Sequence, residues 1–218
     1  MAPSRGGAIR VYGGAVLSDD MIPPPEYMSV ERYLELERIA EHKSEYVYGT
    51  ITPRLGAAAR HNRVVMATLL ELANQVGEGP CEVFSGNQQV AAGQGSLHPD
   101  VNACSERAEF ADTESEVLLN PVLVLEVTSP ITEARVRGDG FKVCQTIRSL
   151  KEYLVIASDV ASAMLYTRQD DDRWLLRFFD GLAEVVELES IACKLPLARI
   201  YRRADLPEPR GFRRAREV

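Results

Sequence analysis

His98-Pro99-Asp100-Val101 and Val122-Leu123-Val124-Leu125-Glu126-Val127 are the two stretches on which the reading of this chain turns. The first sets an acid at the threshold of an apolar segment. The second is a run of Val and Leu interrupted by one acid. A carboxylate in a run that otherwise reads as a buried strand is costly to take out of water. Side chains alternate along a strand, so Glu126 is expected to share a face with Val122 and Val124. If Asp100 and Glu126 face each other on neighbouring strands, a shared hard cation accounts for both. Oxygen ligands suit Mg²⁺ or Mn²⁺, and such a site can hydrolyse a phosphodiester. A structural salt bridge to a buried arginine, or a glutamate at a sheet edge, accounts for the same residues. The pattern alone leaves these alternatives open.

The 218 residues, 45% hydrophobic and 26% charged, suit one globular domain with a core, with or without tails. No apolar run approaches the roughly 20 residues that span a bilayer. Arg5 and Arg10 are not followed by the apolar segment of a signal peptide. Cys81, Cys104, Cys144 and Cys193 show no Cys-x-x-Cys spacing, which argues against a structural zinc site. Their mostly apolar neighbours fit reduced, buried thiols and a cytoplasmic location. The net charge of −7 argues against indiscriminate coating of nucleic acid. Residues 131–151 nevertheless carry five basic side chains against two acidic ones, and the chain is Arg-rich from Arg202 onward. Both read most simply as solvated surface.

Along the chain, residues 1–27, with Gly6-Gly7, Gly13-Gly14 and Pro23-Pro24-Pro25, read as a flexible extension. Ser29 is a candidate helix N-cap with Glu31 in the first turn. Glu45 to Thr52 reads as a hairpin around Gly49. Residues 60–76 predict a helix with Val65, Leu69, Leu72 and Val76 on its apolar face, ended by Gly77 to Pro80. Strands are expected at 81–84, 87–92, 100–104, 122–128, 152–157, 161–167, 173–179 and 184–188, an acidic loop at 105–120, and a helix near 139–148. Asp170-Asp171-Asp172 reads as a turn and Trp174 as packing. Together these make an α/β or α+β domain with a mixed sheet.

At this point the chain resembles the Uma2 family, a prokaryotic group of nucleases with the restriction-endonuclease-like PD-(D/E)xK fold. The pieces that carry the resemblance span roughly residues 28–206. They are Ser29-Val30-Glu31-Arg32-Tyr33-Leu34, Ser44 through Ile51, His61, Pro99-Asp100-Val101, Leu125 through Pro130, and Ser149 through Val155. None is decisive alone, but six in the right order are fairly specific. The resemblance implies a mixed central sheet flanked by helices over residues 28–206, followed by a basic tail over 207–218. It implies that Asp100 and Glu126 are metal-binding acids, that the Val127 carbonyl is a third ligand, and that Glu45 sits near the metal. His61 would orient a phosphate or a water, or else serve as an ordinary first-turn helix residue.

The same resemblance exposes a departure. The family pattern of Asp, three residues, Lys, three residues, Tyr falls on Val136, Gly140 and Cys144. The lysine orients or activates the attacking water and stabilises developing charge, and a glycine does neither. Lys142 is two residues away, about 200° around a helix. Arg137 would share a face with position 140 if the helix has already begun there, but its guanidinium is a poor base. The resulting expectation is a Mg²⁺- or Mn²⁺-dependent endonuclease acting on nucleic acid, DNA before RNA, with Lys142 or Arg137 standing in for the lysine. A homodimer would help it cut two strands. The competing expectation is a catalytically inactive binding or interaction module on the same fold.

Overall fold

In the computed structural model of the chain, the described residues are 10–12, 15–17, 28–39, 44–47, 50–53, 59–93, 95–111 and 117–207. The expected N-terminal extension and basic tail lie almost wholly outside them. Within the extension, β1 (Arg10–Tyr12) and β2 (Ala15–Leu17) pair antiparallel.

Helix α1 (Val30–Ile39) begins where the sequence places it, with Ser29 Oγ accepting from the Arg32 amide at 3.2 Å. This satisfies one of the amides that a helix start leaves without a partner. Strands β3 (Ser44–Val47) and β4 (Thr50–Pro53) form the expected hairpin. Helix α2 (Ala59–Val76) follows and ends at Gly77, whose φ of +57° is the left-handed stop that glycine takes readily. Its apolar face is centred one residue earlier than the sequence suggested. Val64, Thr68 and Leu72 are buried, while Val65, Leu69 and Val76 pack at the margin. Thr68 passes as a core residue because its hydroxyl donates to the Val64 carbonyl at 2.8 Å.

The strands that follow are β5 (Glu82–Ser85), β6 (Gln89–Ala92), β7 (Gly95–Leu97), β8 (Val101–Cys104), β9 (Val117–Leu118) and β10 (Leu123–Thr128). A composite helix α3 comes next: Glu133–Arg135, a π-helical segment Val136–Gly140, then Phe141–Gln145. It starts earlier than the expected 139. Strands β11 (Glu152–Ala157), β12 (Ser162–Arg168), β13 (Trp174–Asp180), β14 (Val185–Leu188) and β15 (Cys193–Pro196) and a short helix α4 (Leu197–Ile200) complete the chain. The sequence reading missed β15 and α4.

The central sheet runs β13-β12-β11-β10-β8-β5. Only β10 and β11 are parallel in it; the other pairs are antiparallel. A parallel pair needs a crossover, and α3 lies in the connection from β10 to β11. A second sheet runs β4-β3-β7-β6-β9. The fold is therefore α+β, with a mixed, mostly antiparallel central sheet flanked by helices.

Two cores lie on the two faces of that sheet. Leu123, Leu125 and Val127 join Leu154 and Ile156 against α2, β14, β15 and α4. Val124, Tyr153 and Val155 join Val136, Val143, Cys144 and Ile147 of the α3 region. Val122 belongs to the first core, not to the face of Val124 as expected. It lies in a bend before β10 begins, where strand alternation does not apply. The four thiols are free; three are buried and Cys81 is half-buried, its pKa pushed up to about 11 by burial.

Glu152 ties the sheet to the C-terminal strands. It is buried, and its carboxylate accepts from the amides of Glu189 and Ser190, each at 3.1 Å, and from the Ser190 hydroxyl. It thereby caps the 3-10 turn Glu189–Ile191 that connects β14 to β15. Hydrogen bonds to a charged acceptor contribute roughly 1.5–3 kcal/mol each, less where, as at Glu189, the donor residue is exposed. Glu152→Ala is expected to lower unfolding stability in urea by about 3 kcal/mol, and Glu152→Gln by less. Equal stability for Glu152→Ala and wild type would show that the cap contributes nothing.

Candidate functional site

The β8–β10 ladder pairs Leu123 with Ala103, Val124 with Asn102, and Leu125 with Val101. The ladder ends there, and Asp100 precedes β8 in a bend, one residue before that last pair. Glu126 follows Leu125 on β10 and alternates to the face of Val124. Asp100 is 6% exposed. Its Oδ2 accepts from the Val127 amide at 2.9 Å and meets His61 Nε2 at 3.1 Å. Glu126 is half-buried, whereas every other residue of β10 is buried.

His61 comes from the first turn of α2, on the Leu125 side of the sheet. Burial works against its charged form. The hydrogen bond and charge of Asp100, with smaller help from Asn62 and the Val127 backbone, outweigh it and raise the pKa above the usual histidine value. His61, Asp100 and the Val127 peptide group thus form one connected unit.

Glu45 lies on β3 opposite Thr52, and its side chain is outside the described set. Lys142 is on the solvent side of α3: it is 73% exposed, and its Nζ lies 3.4 Å from Asp139 Oδ1. Arg137 donates to Glu133 at 3.0 Å on an exposed turn. That bond, with a smaller contribution from Tyr166, raises its pKa and keeps it firmly protonated.

Position 140 faces inward. A Cβ built on Gly140 would stand 3.4 Å from the Tyr153 hydroxyl and 3.6 Å from the Arg135 carbonyl. Tyr153 stands opposite Val124 in the β10–β11 ladder. Its hydroxyl donates to the Val136 carbonyl at 3.2 Å, the same carbonyl that accepts the Phe141 amide across the π segment. Such π turns frequently occur at functional sites. Burial pushes the Tyr153 hydroxyl well above the usual tyrosine range. The charges of Cys144, Glu126 and Tyr166 add to the rise in smaller measure, and that of Arg135 opposes it. Sequence reasoning overlooked Arg135 and Tyr153. A helix expected from 139 leaves Arg135 in a loop, and only the strand register aligns Tyr153 with the Glu126 face.

A further buried network flanks the acids. Tyr33 donates to the Ser44 carbonyl at 2.7 Å, and Glu37 accepts from the Ser44 amide at 2.8 Å and the Ser44 hydroxyl at 2.7 Å. His98 Nε2 is 4.0 Å from Glu37 Oε1. These contacts fasten α1 to β3 and to the segment that delivers Asp100.

A sequence model of the Uma2 family, described as "Putative restriction endonuclease", matches residues 30–198. The chain belongs to the Uma2 family. Two cyanobacterial relatives from Synechocystis sp. (strain ATCC 27184 / PCC 6803 / Kazusa) align over most of their length. The uncharacterized protein sll1609 is 29% identical over 171 residues, covering 78% of this chain and 96% of the relative. The uncharacterized protein slr1290 is 29% identical over 177 residues, covering 80% and 92%. A crystal structure from Anabaena variabilis ATCC 29413, titled a "putative nuclease belonging to DUF820", superposes with a TM-score of 0.66 at 17% identity. It covers 80% of this chain and 98% of that one. At that identity the likeness speaks for the fold. Restriction-endonuclease-like nucleases generally use a divalent metal, and the Uma2 residues here can be tested against one.

Asp100 and Glu126 offer hard carboxylate oxygens, and the Val127 peptide group already engages both Asp100 and His61. Asn102, on β8 two residues beyond Asp100, is fully buried, and its amide finds no hydrogen-bond partner among the described residues. A buried polar group of that kind calls for a polar neighbour. No cluster of three His, Cys, Asp or Glu side chains forms among the described residues. Donors of this hard-oxygen kind would suit a cation held partly by water, not a closed protein cage.

The space at Gly140 gives a direct test. Its φ of −57° is helical, and an added methyl meets only ordinary contacts. Gly140→Ala is expected to raise stability by about 0.5–1 kcal/mol in urea unfolding. Tyr153→Phe should lower it by about 1 kcal/mol through loss of the bond to the Val136 carbonyl. Destabilisation by Gly140→Ala would mean that the π segment rejects a side chain there.

Proposed function

We propose that this Uma2 chain is a metal-dependent endonuclease of nucleic acid, with its centre at Asp100 and Glu126 and a weakened catalytic cation. The observation that carries the reading is a nearly buried acid at the end of the β8–β10 ladder, gripped by the Val127 amide and by His61, with Glu126 next to Val127 on the neighbouring strand. Burying a carboxylate in a sheet with that much local fixation is expensive unless its charge is used.

Asp100, Glu126 and the Val127 carbonyl would hold Mg²⁺ or Mn²⁺, with Glu45 nearby. A cation bound there would supply Lewis acidity and charge neutralisation at a scissile phosphate. The chain's own residues then have separate tasks. The Val127 amide and His61 orient Asp100. His61, with its raised pKa, can donate a hydrogen bond to a phosphate oxygen or a water. Arg135 acts on the same Tyr153 hydroxyl as Glu126 and is the favoured substitute for the lysine missing at position 140. Lys142 and Arg137 are occupied by Asp139 and Glu133 and would need to swing inward to serve. Arginine stabilises charge well but does not deprotonate water, so the rate is expected to be low. DNA is the preferred substrate class, and a pair of subunits would serve a duplex.

The second reading, an inactive nuclease-fold binding module, is favoured by Gly140 itself. Cleavage assays on labelled single-stranded, duplex and branched DNA, with Mn²⁺ and with EDTA, separate the two. Slow Mn²⁺-dependent cleavage is expected, abolished by Asp100→Asn or Glu126→Gln. Arg135→Ala should reduce it, and Gly140→Lys should raise it by about 100-fold, the usual scale of a positioned acid–base group. Cleavage that survives Asp100→Asn would sink the endonuclease reading. Mn²⁺ binding by calorimetry without cleavage, in wild type and Gly140→Lys alike, would favour the binding module.

A further inference from the structure

On the outer side of α2 a groove of about 860 Å³ runs between that helix and the segment after α4. Its floor includes Met66 and Leu70, each 54% exposed and one helical turn apart. Arg63, Arg199, Arg202 and Arg203 line it, with Asn62 and Asn74. The walls are fastened together. Arg60 donates to the Ala204 and Asp205 carbonyls at 3.1 and 3.2 Å, Arg63 pairs with Asp205, and Arg199 reaches Glu71 at 3.0 Å. Arg202 and Arg203 are exposed, and no side-chain bond ties either of them to another described residue.

Two features select the occupant. A basic rim in a chain of net charge −7 is a local exception to the overall balance, and it complements a phosphodiester backbone. The apolar floor calls for flat apolar surface beside those phosphates. An unpaired strand offers both at once, whereas a duplex turns its bases inward and leaves Met66 and Leu70 uncovered. A second copy of this chain would bring arginines against arginines across a two-fold axis. The groove also connects to the candidate centre: Asn62, on its wall, acts on His61, and His61 bonds Asp100.

We propose that this groove binds a single-stranded segment of nucleic acid, its phosphates on Arg202 and Arg203 and its bases over Met66 and Leu70. In this way it holds the strand that flanks the scissile bond. The proposal deepens the nuclease reading and rests on it for that last point only; the binding itself is tested without cleavage.

Fluorescence anisotropy of labelled 12-nucleotide single-stranded DNA and RNA and of a DNA duplex, with the full chain in EDTA, reads the groove directly. Arg202→Glu/Arg203→Glu is expected to weaken single-strand binding at least tenfold. The milder Arg202→Gln/Arg203→Gln should lower the salt dependence of log K by about 1.4, two phosphate contacts' worth. Met66→Ser/Leu70→Ser should weaken single-strand binding more than duplex binding. Circular dichroism of each variant checks that the fold is kept. Wild-type levels of binding and an unchanged salt slope in both arginine variants would overturn the groove, even if Mn²⁺ cleavage is found. So would a wild-type chain that binds no oligonucleotide at low salt, or variants that alter only the oligomeric state by light scattering. Binding lost in the arginine variants of a chain that never cleaves would uphold the groove while the nuclease reading fails.

Discussion

Asp100 sits one step past the last pair of the β8–β10 ladder, and its Oδ2 receives both the Val127 amide and His61. Much of the molecule converges on that single oxygen. The amide belongs to β10, the central strand that pairs parallel with β11. The imidazole belongs to α2, which packs on one face of the sheet. The acid itself follows His98, which lies beside the buried Glu37 of α1. A carboxylate 6% exposed persists there only because hydrogen bonds replace the water it loses. Its position is thus fixed by a helix, two strands and a second buried network at once.

On the opposite side from α2 lies the α3 face, where Gly140 brings no side chain toward the sheet. The π segment directs the Val136 carbonyl to both the Phe141 amide and the Tyr153 hydroxyl. A tyrosine of β11 thus meets the helix beside Gly140. Burial keeps that hydroxyl neutral, so it can donate a hydrogen bond.

Where sequence reasoning worked, a local rule decided the matter. Ser29 capped its helix, Gly77 ended another, and Asp170 to Asp172 made the turn between β12 and β13, with Asp172 at a φ of +60°. The Val and Leu run at 122–128 became the buried strand its composition demanded. Where it slipped, the deciding information was not local. The α2 face shifted by one residue because Thr68 could bury its hydroxyl against a backbone carbonyl. The start of α3 moved forward because Glu133 through Gly140 gain helical bonds that two glycines make hard to foresee. Residues 193–196 became a strand only because β14 was there to pair with them.

The sequence by itself determined that one acid would stand at the threshold of an apolar strand and another within one, and that the chain would build an α+β nuclease-like fold. Those are consequences of side-chain identity and spacing, and they survive in one dimension. Only the tertiary structure decided which groups grip Asp100, that the Tyr153 hydroxyl meets the Val136 carbonyl while Lys142 and Arg137 stay on the solvent side, and that four arginines gather around Met66 and Leu70. Those relations join elements far apart in the chain, such as Asp100 with Val127 and α2 with the segment after α4, through sheet register and helix packing that no local spacing encodes.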